Sequence, residues 1–261
     1  IGTMQDLDAA ELEEFKAFFD KYYGPNNATL VVAGNLEMEE TKAMIKDYFG
    51  PVKSKPEVER VQITEKPITE TIKATEYDSN IQIPIKAHVY RIPGMSERDS
   101  YVMSMISSIL TDGKSSRMYK RMVDDEKVAL QVLAFPRPME DYGTYIMGAL
   151  PLGDTPLEKL AEIMDDEVNK LKTELISERE YQKLQNKFEN QFVNSNSSIQ
   201  GIASSLATYH VLYGNADLIN EEIDIYRSIT REEIKEVANK YLNKNQRLDL
   251  DYLPESEKEQ K

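Results

Sequence analysis

Cysteine and tryptophan are absent from the 261 residues, and histidine occurs only twice, at His88 and His210. Without Cys there is no disulfide, no thiolate metal ligand and no Cys nucleophile. With the two histidines 122 positions apart, no pair of imidazoles shares one helix turn, as a compact zinc motif requires. No apolar run approaches the ~20 residues of a membrane span. Positive charge is also scarce: 32 Lys and Arg face 46 Asp and Glu, for a net charge of −14. That balance argues against a basic groove for nucleic acid. The chain opens "IGTMQDLDAAELEEF", close to a helical pattern and without a secretory signal. Such an opening is expected of a fragment or a processed product.

The apolar pattern is ordinary for a globular protein, with 40% hydrophobic residues. Asp8 followed by Glu11 predicts a helix start, and Leu12, Phe15, Phe19 and Tyr22 mark one helical face. Gly24-Pro25 stops that helix. "TLVVAG", 29–34, is apolar throughout and is expected to be a strand buried on both faces. A second helix is predicted over 37–49, ended by Gly50-Pro51. The charged, proline-bearing "VKSKPEVERVQITEKP" reads as a linker.

Beyond it, "SNIQIPIKAHVYRIP" places Ile81, Ile83, Ile85, Ala87 and Val89 on one face. Pro84 inside that run predicts an edge strand or a bulge. Helices are predicted over 99–111 and 116–125, and strands over 129–135 and 142–150. From Thr155 the pattern is helical, with breaks near 174–177, 194–198 and 214–216. A last strand over 247–253 alternates apolar and acidic residues, so one face should meet water. Strands followed by a block of helices indicate an α+β fold.

The chain also repeats itself. "EEFKAFFDKYYGPN", 13–26, and "EEIKEVANKYLNKN", 232–245, agree at six of 14 positions, where roughly one identity is expected by chance. Either two generic amphipathic helices share a few residues, or both corners close homologous domains. The second alternative divides the chain into 1–53, the end of an upstream domain; 54–254, a second domain; and 255–261, a linker or tail.

Three segments carry a resemblance to a known family. "DLDAAELEEFKAFFDKYYGPNNATLVVAGNLEMEETKAMIKDYFGPV", "ISSILTDGKSSRMYKRMVDDEKVALQV" and "ISEREYQKLQNKFENQF" resemble, in order, segments of the pitrilysin–insulysin zinc peptidases, a family that includes the mitochondrial processing peptidase. The resemblance implies a metallohydrolase-like domain whose antiparallel or mixed sheet is covered on one side by helices, preceded by a helix–strand–helix remnant of a homologous domain. It further implies paired domains, with two halves closing a chamber around a peptide. Zinc is held in such proteins by HxxEH and a distant Glu, the motif Glu acting as general base.

This chain has no HxxEH. Where the family carries an Arg and a Tyr for the substrate carbonyl, it has Val123 and Leu130, and aliphatic side chains cannot donate to an oxyanion. The resemblance therefore implies a chamber wall and substrate-contact surface of a zinc endopeptidase, inactive alone. The alternative is a non-catalytic assembly homologue of the same fold, and HxxEH in the parent discriminates the two. No metal is expected in this chain, and zinc in the parent. The expected partners are a peptide or unfolded protein, and a homologous second half or partner subunit. The resemblance to bacterial members points to the periplasm or cell envelope.

Individual residues read blandly. His88, beside Lys86 and Tyr90, is expected on the face opposite the apolar one, half-exposed. His210 flanks the stripe Ile202, Leu206, Tyr209, Tyr213 and is expected in packing or a helix-flank contact. "TDGKSSR", 111–117, lacks the second Gly of a phosphate loop, since position 108 is Ser; a turn with Ser115 or Ser116 as N-cap is expected. Asp124, Asp125 and Glu126 are adjacent on a helix and point different ways, so they form no acid–base pair. "SEREYQKLQNKFENQF" reads as a solvated helix. No catalytic and no metal-ligating residue is assigned, and the substrate-binding residues are left open.

Overall fold

The computed structural model describes residues 3–61 and 64–260. The chain divides into two compact units, residues 1–64 with 195–219, and residues 65–194 with 220–261. Gln62 and Ile63 of the expected linker, and Lys261 of the expected tail, lie outside the described residues.

In the first unit, helix α1 (Met4–Ala9) is capped by Thr3, whose Oγ1 accepts from the Asp6 N–H at 3.2 Å. Helix α2 (Leu12–Tyr22) starts at Glu11 rather than at Asp8. Glu14, three residues on, accepts the Glu11 N–H at 2.9 Å and decides the start. A 3₁₀ turn at Pro25–Asn27 follows, closed by the Asn27 amide donating to the Tyr22 carbonyl at 2.8 Å. Helix α3 (Met38–Phe49) lies where the sequence places it. The expected strand over 29–34 is not formed, and Leu30 and Val32 are exposed. A strand needs a neighbour for its N–H and C=O groups, and no described strand runs beside it. Helix α7 (Ile199–Thr208) is capped by Ser198 and runs into a π turn, Tyr209–Tyr213, ended by Gly214 at φ +68°.

The second unit is a five-stranded mixed sheet of order β1-β5-β2-β4-β3. Its strands are β1 (Ile72–Asp78), β2 (Ile85–Pro93), β3 (Ala129–Arg137), β4 (Tyr142–Pro151) and β5 (Arg247–Pro254). β1 and β5 are parallel and every other pairing is antiparallel. Helices α4 (Arg98–Thr111), α5 (Leu157–Thr173) and α9 (Arg231–Tyr241) pack on the sheet, beside α6 (Glu178–Ser195) and α8 (Leu218–Ser228). α5 shows the cause: Leu160, Ile163, Met164, Val168 and Leu171 recur on one face and are all buried. Each such side chain contributes about 1.5–3 kcal/mol when withdrawn from water. The fold is α+β.

Two strand expectations are corrected. β2 is central, between β5 and β4, and Pro84 lies just before it, where no ladder bond is lost. The helix-covered face of β2 carries Lys86, His88, Tyr90 and Ile92, all buried, whereas Ile85 and Val89 on the other face are half-buried. The acidic face of β5 is likewise turned to the helices, since Asp249 and Asp251 stand opposite His88 and Lys86.

Candidate functional site

Two features of the second unit concentrate polar side chains. The first is a groove of about 500 Å³ along edge strand β3. Its walls are the last turns of α4, with Ser104, Ser107 and Ser108, and α6, with Lys187, Phe188 and Gln191. β3 pairs only with β4. Its pairing frontage has defined ends. A bulge lies at Leu130, which has no opposite residue in β4. Pro136 offers no N–H. Thr111 Oγ1 donates to the Ala134 carbonyl at 3.3 Å and occupies one acceptor of the edge.

The loop 111–117 ends this groove. Ser116 stands at the helix start, as expected, but its hydroxyl turns back to the Gly113 carbonyl at 2.7 Å. Lys183 donates to Ser115 Oγ at 2.8 Å, and Lys187 to Ser108 Oγ at 2.8 Å, with Asp112 ion-paired to Lys187. Arg117 forks onto Glu180 at 2.7 and 3.1 Å, and Glu180 also takes the Ser177 N–H at 2.9 Å to cap α6. Burial pushes the Glu180 carboxyl up, but Arg117 and Ser177 outweigh it and bring the pKa down to about 2. The helix read as merely solvated thus clamps the loop.

The second feature is ionic. Lys86 donates to Asp251 at 2.6 Å and is ion-paired with Asp249 at 2.5 Å. Arg247 is bound to Asp165 of α5, and reaches Asp249 at 3.4 Å and the Tyr90 hydroxyl at 3.2 Å. His88 lies within this set, fully buried rather than half-exposed. Its Nδ1 is 3.6 Å from Asp165 and its Nε2 3.8 Å from Asp249, and neither nitrogen has a hydrogen-bond partner. Burial, and then Arg247, hold its pKa down at about 4. Sequence periodicity missed this group because its members meet only through the pairing of β2 with β5 and the packing of α5.

The remaining singled-out residues are dispersed. His210 is exposed on the π turn, a flank position without core packing. Val123 is half-buried on the π-helical turn Tyr119–Asp125, and Leu130 is exposed at the bulge. Asp124 and Asp125 are exposed, while Glu126 accepts from Arg121 at 2.7 Å.

Residues 9–188 match the family described as Peptidase M16 inactive domain, more than half of the chain. The chain belongs to the peptidase M16 family. Among its M16 relatives, the zinc protease PqqE of Helicobacter pylori is 25% identical over 255 residues, 94% of this chain and 56% of that protein. A crystallised protease from Helicobacter pylori superposes with a TM-score of 0.87 at 21% identity, covering 97% of this chain and 61% of that one. The first half of the periplasmic protease PqqL from Escherichia coli gives 0.74 at 16% identity, covering 97% and 56%. The chain thus spans less than two thirds of each, and the two structural likenesses establish the fold. No described helix is long and apolar enough to cross a membrane.

The zinc of M16 proteases finds no matching donor set among the described residues, where no three of His, Asp and Glu could hold a metal ion. At the one buried imidazole, Lys86 and Arg247 already neutralise Asp249 and Asp165, and their charge would repel a dication.

Proposed function

We propose that this chain is the non-catalytic part of a zinc endopeptidase of the M16 family, and that the β3 edge is where it holds an extended segment of the substrate. A single observation carries the reading: an edge strand, bounded by a bulge and a proline, runs beside a groove of about 500 Å³. An extended peptide adds to such an edge through main-chain bonds, largely independent of its sequence, while alternate side chains enter the groove. The frontage spans 131–135, so about five substrate residues are held.

Val123 and Leu130 supply no donor to a developing oxyanion. The chain therefore forms a chamber wall, while zinc and its general base reside in another part of the protein. An Arg and a Tyr come from a homologous half or partner subunit. The similarity to PqqL, described as periplasmic, supports a periplasmic location. The same lack of donors suits a second reading, an assembly subunit with no substrate.

The test uses a fluorescent ten-residue peptide titrated into the chain, with Gln191→Trp as the blocking variant. Gln191 is exposed on α6, so the variant should fold. Saturable binding that Gln191→Trp weakens at least tenfold supports the substrate role. Equal binding by both forms, or none by either, overturns it in favour of the assembly reading.

A further inference from the structure

The open side of β3 offers fewer bonding groups than its length suggests. Pro136 has no N–H to give a ladder, and Thr111 reaches the Ala134 carbonyl from outside the sheet at 3.3 Å. Successive residues of a strand turn their peptide groups to opposite sides, so residues 132, 134 and 136 face away from β4. Val132 therefore presents an N–H and a C=O, and Ala134 an N–H. Among the described residues no turn, loop or cap bond occupies them. The Ala134 carbonyl differs. Thr111 Oγ1 stands before it, steadied by the Ser107 carbonyl of its own helix at 3.4 Å.

The side chains add a second observation. In antiparallel addition, the more stable pairing per residue, a substrate residue opposite Val132 or Ala134 projects on the same face as that residue. This is the face under the helices, where Val132 and Ala134 are buried. The groove there is walled by Phe188 and Tyr226, whose rings stack at 4.4 Å and 22°. Ala134, with only a methyl group, leaves room for a ring beside it.

We propose that the β3 groove selects extended segments carrying a proline opposite Ala134, and that Thr111 sets this preference. The proposal deepens the peptide-binding role of β3 and rests on it. Proline ordinarily weakens an added strand, because it cannot donate to the ladder. Opposite Ala134 the acceptor is already taken, so any other residue would leave its N–H unbonded at the groove, which costs binding. Proline has no N–H to leave unbonded. Its backbone is restricted before binding, and its ring packs on aromatic walls. Opposite Val132 the same residue would forfeit a bond, so the preference is confined to one position.

The test titrates into the chain a fluorescent ten-residue peptide of Ala and Thr, and the same peptide with proline or N-methylalanine at a central position. The proline peptide should bind about fivefold tighter than the parent, and the N-methyl peptide no weaker than the parent. In Thr111→Val the Ala134 carbonyl is free, so the parent should gain affinity and proline lose its advantage. Thr111→Ser keeps the hydroxyl and should keep the advantage. Equal binding of proline and parent peptides, or weaker binding of the proline peptide, overturns the preference and leaves β3 as a peptide site. An advantage that persists in Thr111→Val overturns the role of Thr111. If that variant does not fold, the N-methyl peptide decides on the unaltered chain, where binding weaker than the parent's overturns it. Binding of none of the peptides overturns the β3 reading itself, and the preference with it.

Discussion

His88 Nδ1 stands 3.6 Å from Asp165 with no hydrogen bond between them. The imidazole is therefore accommodated neutral, in a set whose charges already balance three against three: Lys86, Arg247 and Lys244 with Asp165, Asp249 and Asp251.

Stability should consequently fall as pH falls from about 6.5 to about 4. Above 6.5 His88 is neutral in both the folded and unfolded states. Below it the unfolded chain binds a proton that the folded chain refuses until about 4. The loss is of order 3 kcal/mol at most. Asp165 and Asp249 act in the next window. Burial opposes their ionisation, but Arg247 for Asp165 and Lys86 for Asp249 hold them below the usual carboxylate range. Their contribution is present above pH 3.8 and is lost as pH falls through their folded values. Urea unfolding at pH 7, 6, 5 and 4 checks this, with His88→Met expected to flatten the first window.

Arg117→Ala should destabilise the second unit by about 2 kcal/mol, because it leaves the part-buried Glu180 without its guanidinium. Glu180→Gln should cost less, since a neutral amide tolerates the site. The Glu180 contribution is present above pH 4.5 and fades as pH falls towards 2. In both variants hydrogen exchange over 111–117 should quicken before that of the sheet.

The two histidines should separate on substitution. His210→Ala should shift stability by less than about 0.5 kcal/mol, because the side chain is exposed. His88→Ala should cost several-fold more, because it opens a cavity among buried charges. Thermal melts of both variants decide it, and comparable melting points would contradict the buried placement.

Dialysis of the chain against zinc, then a metal-free buffer, should leave less than one-tenth of an equivalent bound. Zinc needs three or four converging N, O or S donors, and the described residues provide no such group. One tightly held zinc per chain would show a ligand set that the geometry does not.

Local order could be read from the sequence. The periodicities placed α3, α4, β3, β4 and β5 to within a few residues, and the 219-residue repeat was visible because it is written in side chains that cap and terminate a helix. The α+β class followed from the order of those patterns. What the sequence alone could not determine was which face of a strand lies under helices. Ile85, Ala87 and Val89 looked like a core face, yet His88 and Tyr90 occupy it. Charges can be buried there only because β5, some 160 residues away, brings Asp249, Asp251 and Arg247 into register with Lys86 and His88. The β3 groove has the same origin: its walls come from α4 and α6, and neither knows of the other until the sheet has formed. "TLVVAG" shows the converse limit. Its composition says strand, but strand formation needs a hydrogen-bonding neighbour, and tertiary structure provides none for it among the described residues.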